Sequence, residues 1–182
     1  MASILTDVPD QDRPRLSFDP IERAGELWEQ HFGDSTAMRL ATSVMRVQQL
    51  LLGALDAALK PYELTFSRYE VLVLLRFSRA GYVPLSKIGE RLMVHPTSVT
   101  NLVDRLDAQG YVTRQPDATD RRRVLASLTT IGSDVVERAT TDLMQLEFAV
   151  AGVDPKEQEA AYELLRSMRL GAADFPPRTS DD

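Results

Sequence analysis

The stretch DATDRRRVLASLTTIG (117–132) sets three consecutive arginines, Arg121, Arg122 and Arg123, behind two acids, Asp117 and Asp120. Guanidinium groups gathered at a turn suit phosphates and the narrow minor groove of A·T-rich DNA, while the carboxylates can shape the turn. A second group lies upstream, in PTSVTNLVDRLDA (96–108). There Val99, Leu102, Val103 and Leu106 recur at i, i+3, i+4 and i+7, the buried face of a helix. Thr97, Ser98, Thr100, Asn101 and Arg105 fall on the other side. Short hydroxyls and an amide near a helix start, with an arginine further along, suit base edges and phosphates in a major groove. Taken singly, a charge run or a polar helix face is more often only a solvated surface. The two groups acquire meaning together.

Other chemistries find no support. There is no cysteine, so disulfides, thiolate metal sites and thiol switches are all excluded. The two histidines, His31 and His95, belong to no metal-ligand spacing, and no G-x-S-x-G, G-x-x-x-x-G-K-[ST] or G-x-G-x-x-G motif occurs. No metal, cofactor or catalytic constellation is implied, and an enzyme is the weakest reading. The chain has 182 residues and a net charge of −6. Between Pro84 and Arg123 seven bases meet five acids, a balance of +2, which leaves −8 for the remainder. A local basic field inside an acidic protein is compatible with a selective polyanion contact. No apolar run approaches the roughly 20 residues of a membrane span. The polar, proline-containing N-terminus lacks the features of a secretion signal, so a cytoplasmic location is expected.

The elements that must position these residues follow from periodicity and punctuation. Residues 1–18 read as a disordered arm, and DPIERAGELWEQHF gives an extra N-terminal helix within 19–33, capped by Asp19 with Pro20 at its first position. A long helix is expected from about Ala37 to Lys60, with a wide apolar face that includes Leu40, Val44, Val47, Leu51, Met45 and Leu52. SRYEVLVLLRFSR (67–79) predicts a third helix capped by Ser67. Two short helices with Met93 and Val94 in the turn between them come next, then a hairpin with the arginines at its tip. A helix from about Thr130 to Val150 and another within 154–171, striped by Ala160, Leu164 and Met168, complete the chain before a disordered tail at 172–182. The fold class is therefore mainly α with a small β-wing. A winged helix-turn-helix at 63–128 is flanked by helical dimerisation regions at 34–62 and 129–171. A monomeric helix bundle is the alternative to the dimer.

These residues resemble the MarR (multiple antibiotic resistance) regulators over roughly Ala37 to Gly171. The resemblance is carried by LTFSRYEVLVLL (64–75), HPTSVTNLVDRLDAQGYVTR (95–114) and the D-x-x-D-R-R wing with its following L-T-x-x-G (117–132). It implies a homodimer on an inverted-repeat duplex that represses, or less often activates, nearby genes until a small ligand binds. It also implies that Asp120, with Asp117, braces the wing. Arg121 or Arg122 enters the minor groove, and Arg123 begins the return strand against phosphate.

The same resemblance bears on the effector. Cysteine-based and zinc-sensing branches are excluded by composition, leaving a small aromatic or anionic ligand between the dimer base and the winged unit. The extra helix with Trp28 resembles the urate-responsive branch, where Glu70 matches a carboxylate and Arg114 one of two arginines. Leu102 replaces the other arginine, so urate would lack charge compensation. Tyr69, Arg46 and Gln49 are further ligand candidates from their helices, and Glu70 is expected beside Arg114. A winged-helix module that binds protein without reading DNA remains the alternative function.

Overall fold

The computed structural model describes residues 16–120 and 122–176. Among them the chain forms seven α-helices and one small sheet. The helices are α1 (Pro20–Phe32), α2 (Thr36–Leu59), α3 (Phe66–Arg76), α4 (Leu85–Leu92), α5 (Pro96–Ala108), α6 (Thr130–Gln145) and α7 (Pro155–Gly171). The strands β1 (Val83–Pro84), β2 (Val112–Pro116) and β3 (Val124–Leu128) pair antiparallel in the order β1-β3-β2. Ala126 stands opposite Val83 on one side and Arg114 on the other. The fold is mainly helical with a small wing, as the sequence implies.

One core runs through the winged unit and into its supports. Leu72, Ile88, Val99, Val103, Leu106 and Val112 are buried together with Leu59 from α2 and Val136 and Leu143 from α6. The third helix starts one residue earlier than Ser67 and ends at Arg76 instead of 79. Its start is set from a distance: Asp56 Oδ1 on α2 accepts the Phe66 amide at 2.7 Å, the service a side-chain cap would have performed locally. Behind it Tyr62 donates to Asp142 Oδ2 at 2.6 Å while the Arg138 guanidinium lies over its ring. The carboxylate holds the Tyr62 proton in place and pushes its pKa up.

The joint between wing and α6 explains the L-T-x-x-G pattern. Thr129 Oγ1 donates to the Gly110 carbonyl at 2.7 Å and accepts the Gly132 amide at 2.9 Å, so one hydroxyl closes the hairpin and caps the helix. A Cβ at Gly132 would stand 1.9 Å from the Tyr111 carbonyl oxygen, so only glycine admits this approach.

The expected helix to Val150 instead stops at Gln145. Glu147, Phe148 and Ala149 follow with φ of 50°, 50° and 63°, a left-handed turn built without glycine. Such residues cost roughly 1–2 kcal/mol each in that conformation. The apolar period across 143–150 had hidden this break, because Leu146 and Val150 remain partly buried on the far side of it.

At the N-terminal end α1 lies on α2 through Gly25, where a Cβ would meet Arg39 Cδ at 2.6 Å. Ser35, fully buried, donates to Glu29 at 2.6 Å and latches the two helices. The arm expected at 1–18 falls mostly outside the described residues. Of the tail expected at 172–182, the described part turns back on α7, with Phe175 beneath Arg166 and Arg169. No described helix is long and apolar enough to cross a membrane.

Candidate nucleic-acid interface

Helix α5 presents its polar face outward. His95 caps it in an extended conformation, its Nδ1 accepting the Thr97 amide at 3.3 Å, and Pro96 supplies a preset first φ. Thr97, Ser98, Thr100, Asn101 and Arg105 are all exposed, while Val99, Val103 and Leu106 are buried beneath them. Thr100 Oγ1 is turned back onto the Pro96 carbonyl at 3.2 Å, which leaves the Thr97, Ser98 and Asn101 polar groups directed to solvent. Met93, in the turn before α5, takes a left-handed φ of 54° and is exposed.

The wing tip is held by its acids. Asp117 Oδ1 accepts the Thr119 hydroxyl at 2.7 Å and the Thr119 amide at 2.8 Å, and its other oxygen lies 3.5 Å from the Arg123 guanidinium. The Thr119 hydroxyl, then its amide, hold the Asp117 carboxyl below the usual carboxylate range. Asp120 Oδ1 accepts the Arg122 amide at 3.0 Å, closing the next turn. Arg123, just before β3, accepts the Asp117 amide at 2.9 Å through its carbonyl, extending the β2–β3 pairing by one step, while its half-exposed guanidinium lies near the Asp117 carboxylate. Arg122 is exposed and makes no ion pair among the described residues. Arg121 lies outside the described residues.

Between the start of α3 and α5 lies a depression of about 580 Å³ bordered by Ser67, Arg68, Ser98, Asn101 and Arg105. Its arginine on α3 is positioned, since Arg68 donates to Gln109 Oε1 at 3.1 Å and Gln109 in turn donates to the Glu63 carbonyl at 2.9 Å. Two arginines and two serines border one hollow, donor types suited to phosphate oxygens. Arg68 and Gln109 carry no periodic signal that marks them in the sequence, and Ser67, expected there only as a helix cap, lies inside α3 and lines this hollow.

The ligand candidates do not gather at one place. Arg114 pairs with Asp104 on α5 and not with Glu70. Glu70 is half-buried, and burial pushes its carboxyl pKa up. Arg46 and Gln49 line a cleft of about 480 Å³ with Asp19 and Ile21 at the start of α1. Tyr69 lines a different cleft, between α3 and α6. Trp28 packs against Phe32 of its own helix at 4.9 Å between ring centres. Leu102 is only partly buried and lines the hollow between α3 and α5.

Comparison with known proteins places this geometry. The family model described as "MarR family" matches residues 64–124. The crystal structure of Sco5413, a MarR family transcriptional regulator from Streptomyces coelicolor, is 52% identical with a TM-score of 0.72, covering 78% of this chain and 98% of that one. The HTH-type transcriptional regulator PecS of Dickeya dadantii is 30% identical over 133 residues, 72% of this chain and 80% of its own length. BpsR of Bordetella bronchiseptica, in a structure describing regulation of its DNA binding by 6-hydroxynicotinic acid, is 26% identical with a TM-score of 0.64, covering 71% of this chain and 98% of that one.

Proposed function

Because this chain belongs to the MarR family, whose members are DNA-binding transcriptional regulators and not enzymes, we propose that it is a homodimeric repressor of an inverted-repeat operator, released by a small aromatic or anionic ligand. The observation that carries the DNA reading is the exposed polar face of α5, with the wing tip and the Arg68–Arg105 hollow as cationic features for the backbone. Thr97, Ser98 and Asn101 read base edges in the major groove. Arg122, with Arg121, serves the minor groove, while Arg68 and Arg105 take phosphates. Asp117 and Asp120 brace the tip.

Dimerisation through 34–62 and 129–171 is supported by what a single chain leaves uncovered. Helix α7 buries none of its residues, and Tyr162, Leu164, Leu165 and Met168 are 41–50% exposed. Beside them a groove of about 650 Å³ runs along α2, lined almost wholly by apolar atoms including Leu40, Val44 and Leu51. A second copy seated there buries both. Two α5 helices related by a two-fold then enter successive major grooves about 10 bp apart.

The effector reading is supported by BpsR, whose DNA binding is regulated by 6-hydroxynicotinic acid. A ligand need favour the DNA-incompetent arrangement by only a few kcal/mol to empty the operator. Anisotropy titration of the chain's own upstream intergenic duplex, against a scrambled duplex of equal length, tests the whole reading. Tighter binding to the upstream duplex, with an affinity that falls steeply with salt, is expected. Equal affinity for both duplexes removes the operator claim, and no binding to either leaves the protein-interaction alternative.

A further inference from the structure

Helix α5 stops at Gly110, φ 73°, where the Gly110 amide meets the Asp107 carbonyl and the Tyr111 amide meets the Leu106 carbonyl, both at 2.9 Å. The side chains on either side of that glycine reach the same neighbour. Gln109 Nε2 donates to the Glu63 carbonyl at 2.9 Å, and the Tyr111 hydroxyl donates to the Tyr62 carbonyl at 3.2 Å. These two carbonyls are consecutive in the connection between α2 and α3, and Tyr62 is itself tied to α6 through Asp142. From α6 the cap Thr129 donates through its hydroxyl to the Gly110 carbonyl and through its amide, at 3.1 Å, to the Tyr111 carbonyl. The end of α5 is thus held by the connection leaving α2 and by the start of α6, and both helices lie in the regions proposed for pairing.

At its other end α5 makes only local side-chain hydrogen bonds among the described residues, from the Thr97 amide to His95 and from Thr100 to the Pro96 carbonyl. Thr97, Ser98 and Asn101, proposed to read base edges, sit in these first two turns. A helix of 13 residues spans about 18 Å, so those side chains move as the tip of a lever. A swing of about 5° at the clasped end displaces Thr97 by about 1.6 Å, enough to break a hydrogen bond to a base. One base pair added between two half-sites shifts one of them about 3.4 Å along the duplex and turns it about 35° around the axis. A reading helix fixed at its end cannot follow that change, whereas a loosened one follows it in part.

We propose that Gln109 and Tyr111 are positioning residues for operator recognition. By clasping the Glu63 and Tyr62 carbonyls they fix the angle of α5 against the pairing helices, and so decide which half-site spacing the dimer accepts. The proposal rests on the homodimer and operator reading above and adds to it a determinant of specificity that touches no base.

Anisotropy titration on four duplexes tests it: the upstream inverted repeat at its natural spacing, the same repeat with one base pair added or one removed, and a single half-site. Wild type should bind the natural spacing about tenfold more tightly than either altered repeat. Tyr111→Phe, which removes one donor and keeps the ring, should narrow that ratio about threefold while binding the half-site within about twofold of wild type. Gln109 also holds Arg68, so Gln109→Ala is made in the Arg68→Ala background and should narrow the ratio likewise against Arg68→Ala alone. Thermal melting checks that each variant is folded. A ratio unchanged by either substitution overturns the inference, as does a loss on the half-site as large as that on the repeat, or a wild type indifferent to spacing. Failure of wild type to distinguish the upstream duplex from a scrambled one would instead remove the operator reading, and this inference with it.

Discussion

Arg122 and Arg123 are neighbours in different surroundings: the Arg123 guanidinium lies 3.5 Å from Asp117, while Arg122 is exposed and makes no ion pair among the described residues. Arg122→Ala should weaken binding to specific and non-specific duplexes alike and reduce the slope of log affinity against log salt by about 1, the signature of one positive charge lost from the DNA surface. Arg68→Ala should do the same. Asn101→Ala should cost about 1–3 kcal/mol on the preferred duplex and little on a scrambled one, since a base contact is lost and a backbone contact is not. Parallel salt titrations on both duplexes separate the two classes. Glu70 makes a prediction of another kind. Its folded pKa is raised by burial, so ionising it opposes folding, and the penalty grows as pH rises from the unfolded carboxylate range through the folded value. Glu70→Gln should therefore melt higher than wild type at neutral pH, with the gap closing toward pH ~4 where both side chains are neutral.

The element most tightly specified is the joint of β2, β3 and α6. Gly132→Ala should destabilise by about 3 kcal/mol, because the methyl group and the Tyr111 carbonyl cannot share the space, and Thr129→Ala by about 1–2 kcal/mol through the lost cap. Denaturant melts of the two variants against wild type check the order. This joint was readable in the sequence since all its parts are local: a threonine, a glycine three positions on, and a hairpin before them. The buried face of α5 was readable for the same reason, its period being intrinsic to one helix. The start of α3 was not, because its cap, Asp56, comes from another helix. Nor was the end of α6, where the left-handed turn at Glu147–Ala149 carries no glycine to announce it. Tyr69, Arg46, Gln49, Glu70 and Arg114 could be assigned to helices and a strand but not to a common cleft, since relative rotation of packed elements leaves no periodic trace.

For the molecule as a whole, the proposed pairing through the uncovered α7 predicts that assembly and folding are coupled. Leu164→Asp, on a side chain half exposed in the single chain, should leave helical content in place at high concentration yet shift sedimentation toward the monomer and lower the melting temperature as the protein is diluted. A wild-type melt independent of concentration would argue for the monomeric bundle. The described contacts also divide labour in a way that genetics can read. The residues proposed for DNA lie on α3, α5 and the wing, while the apolar groove proposed for a second copy is lined chiefly by α2 and α7. A copy carrying both Asn101→Ala and Arg122→Ala keeps every side chain needed to pair with an intact copy. Co-expressed in excess with wild type, it should sequester the functional subunits into mixed pairs and derepress a reporter placed behind the operator. Adding Leu164→Asp to the same defective copy should restore repression, because a subunit that cannot pair cannot poison its sibling.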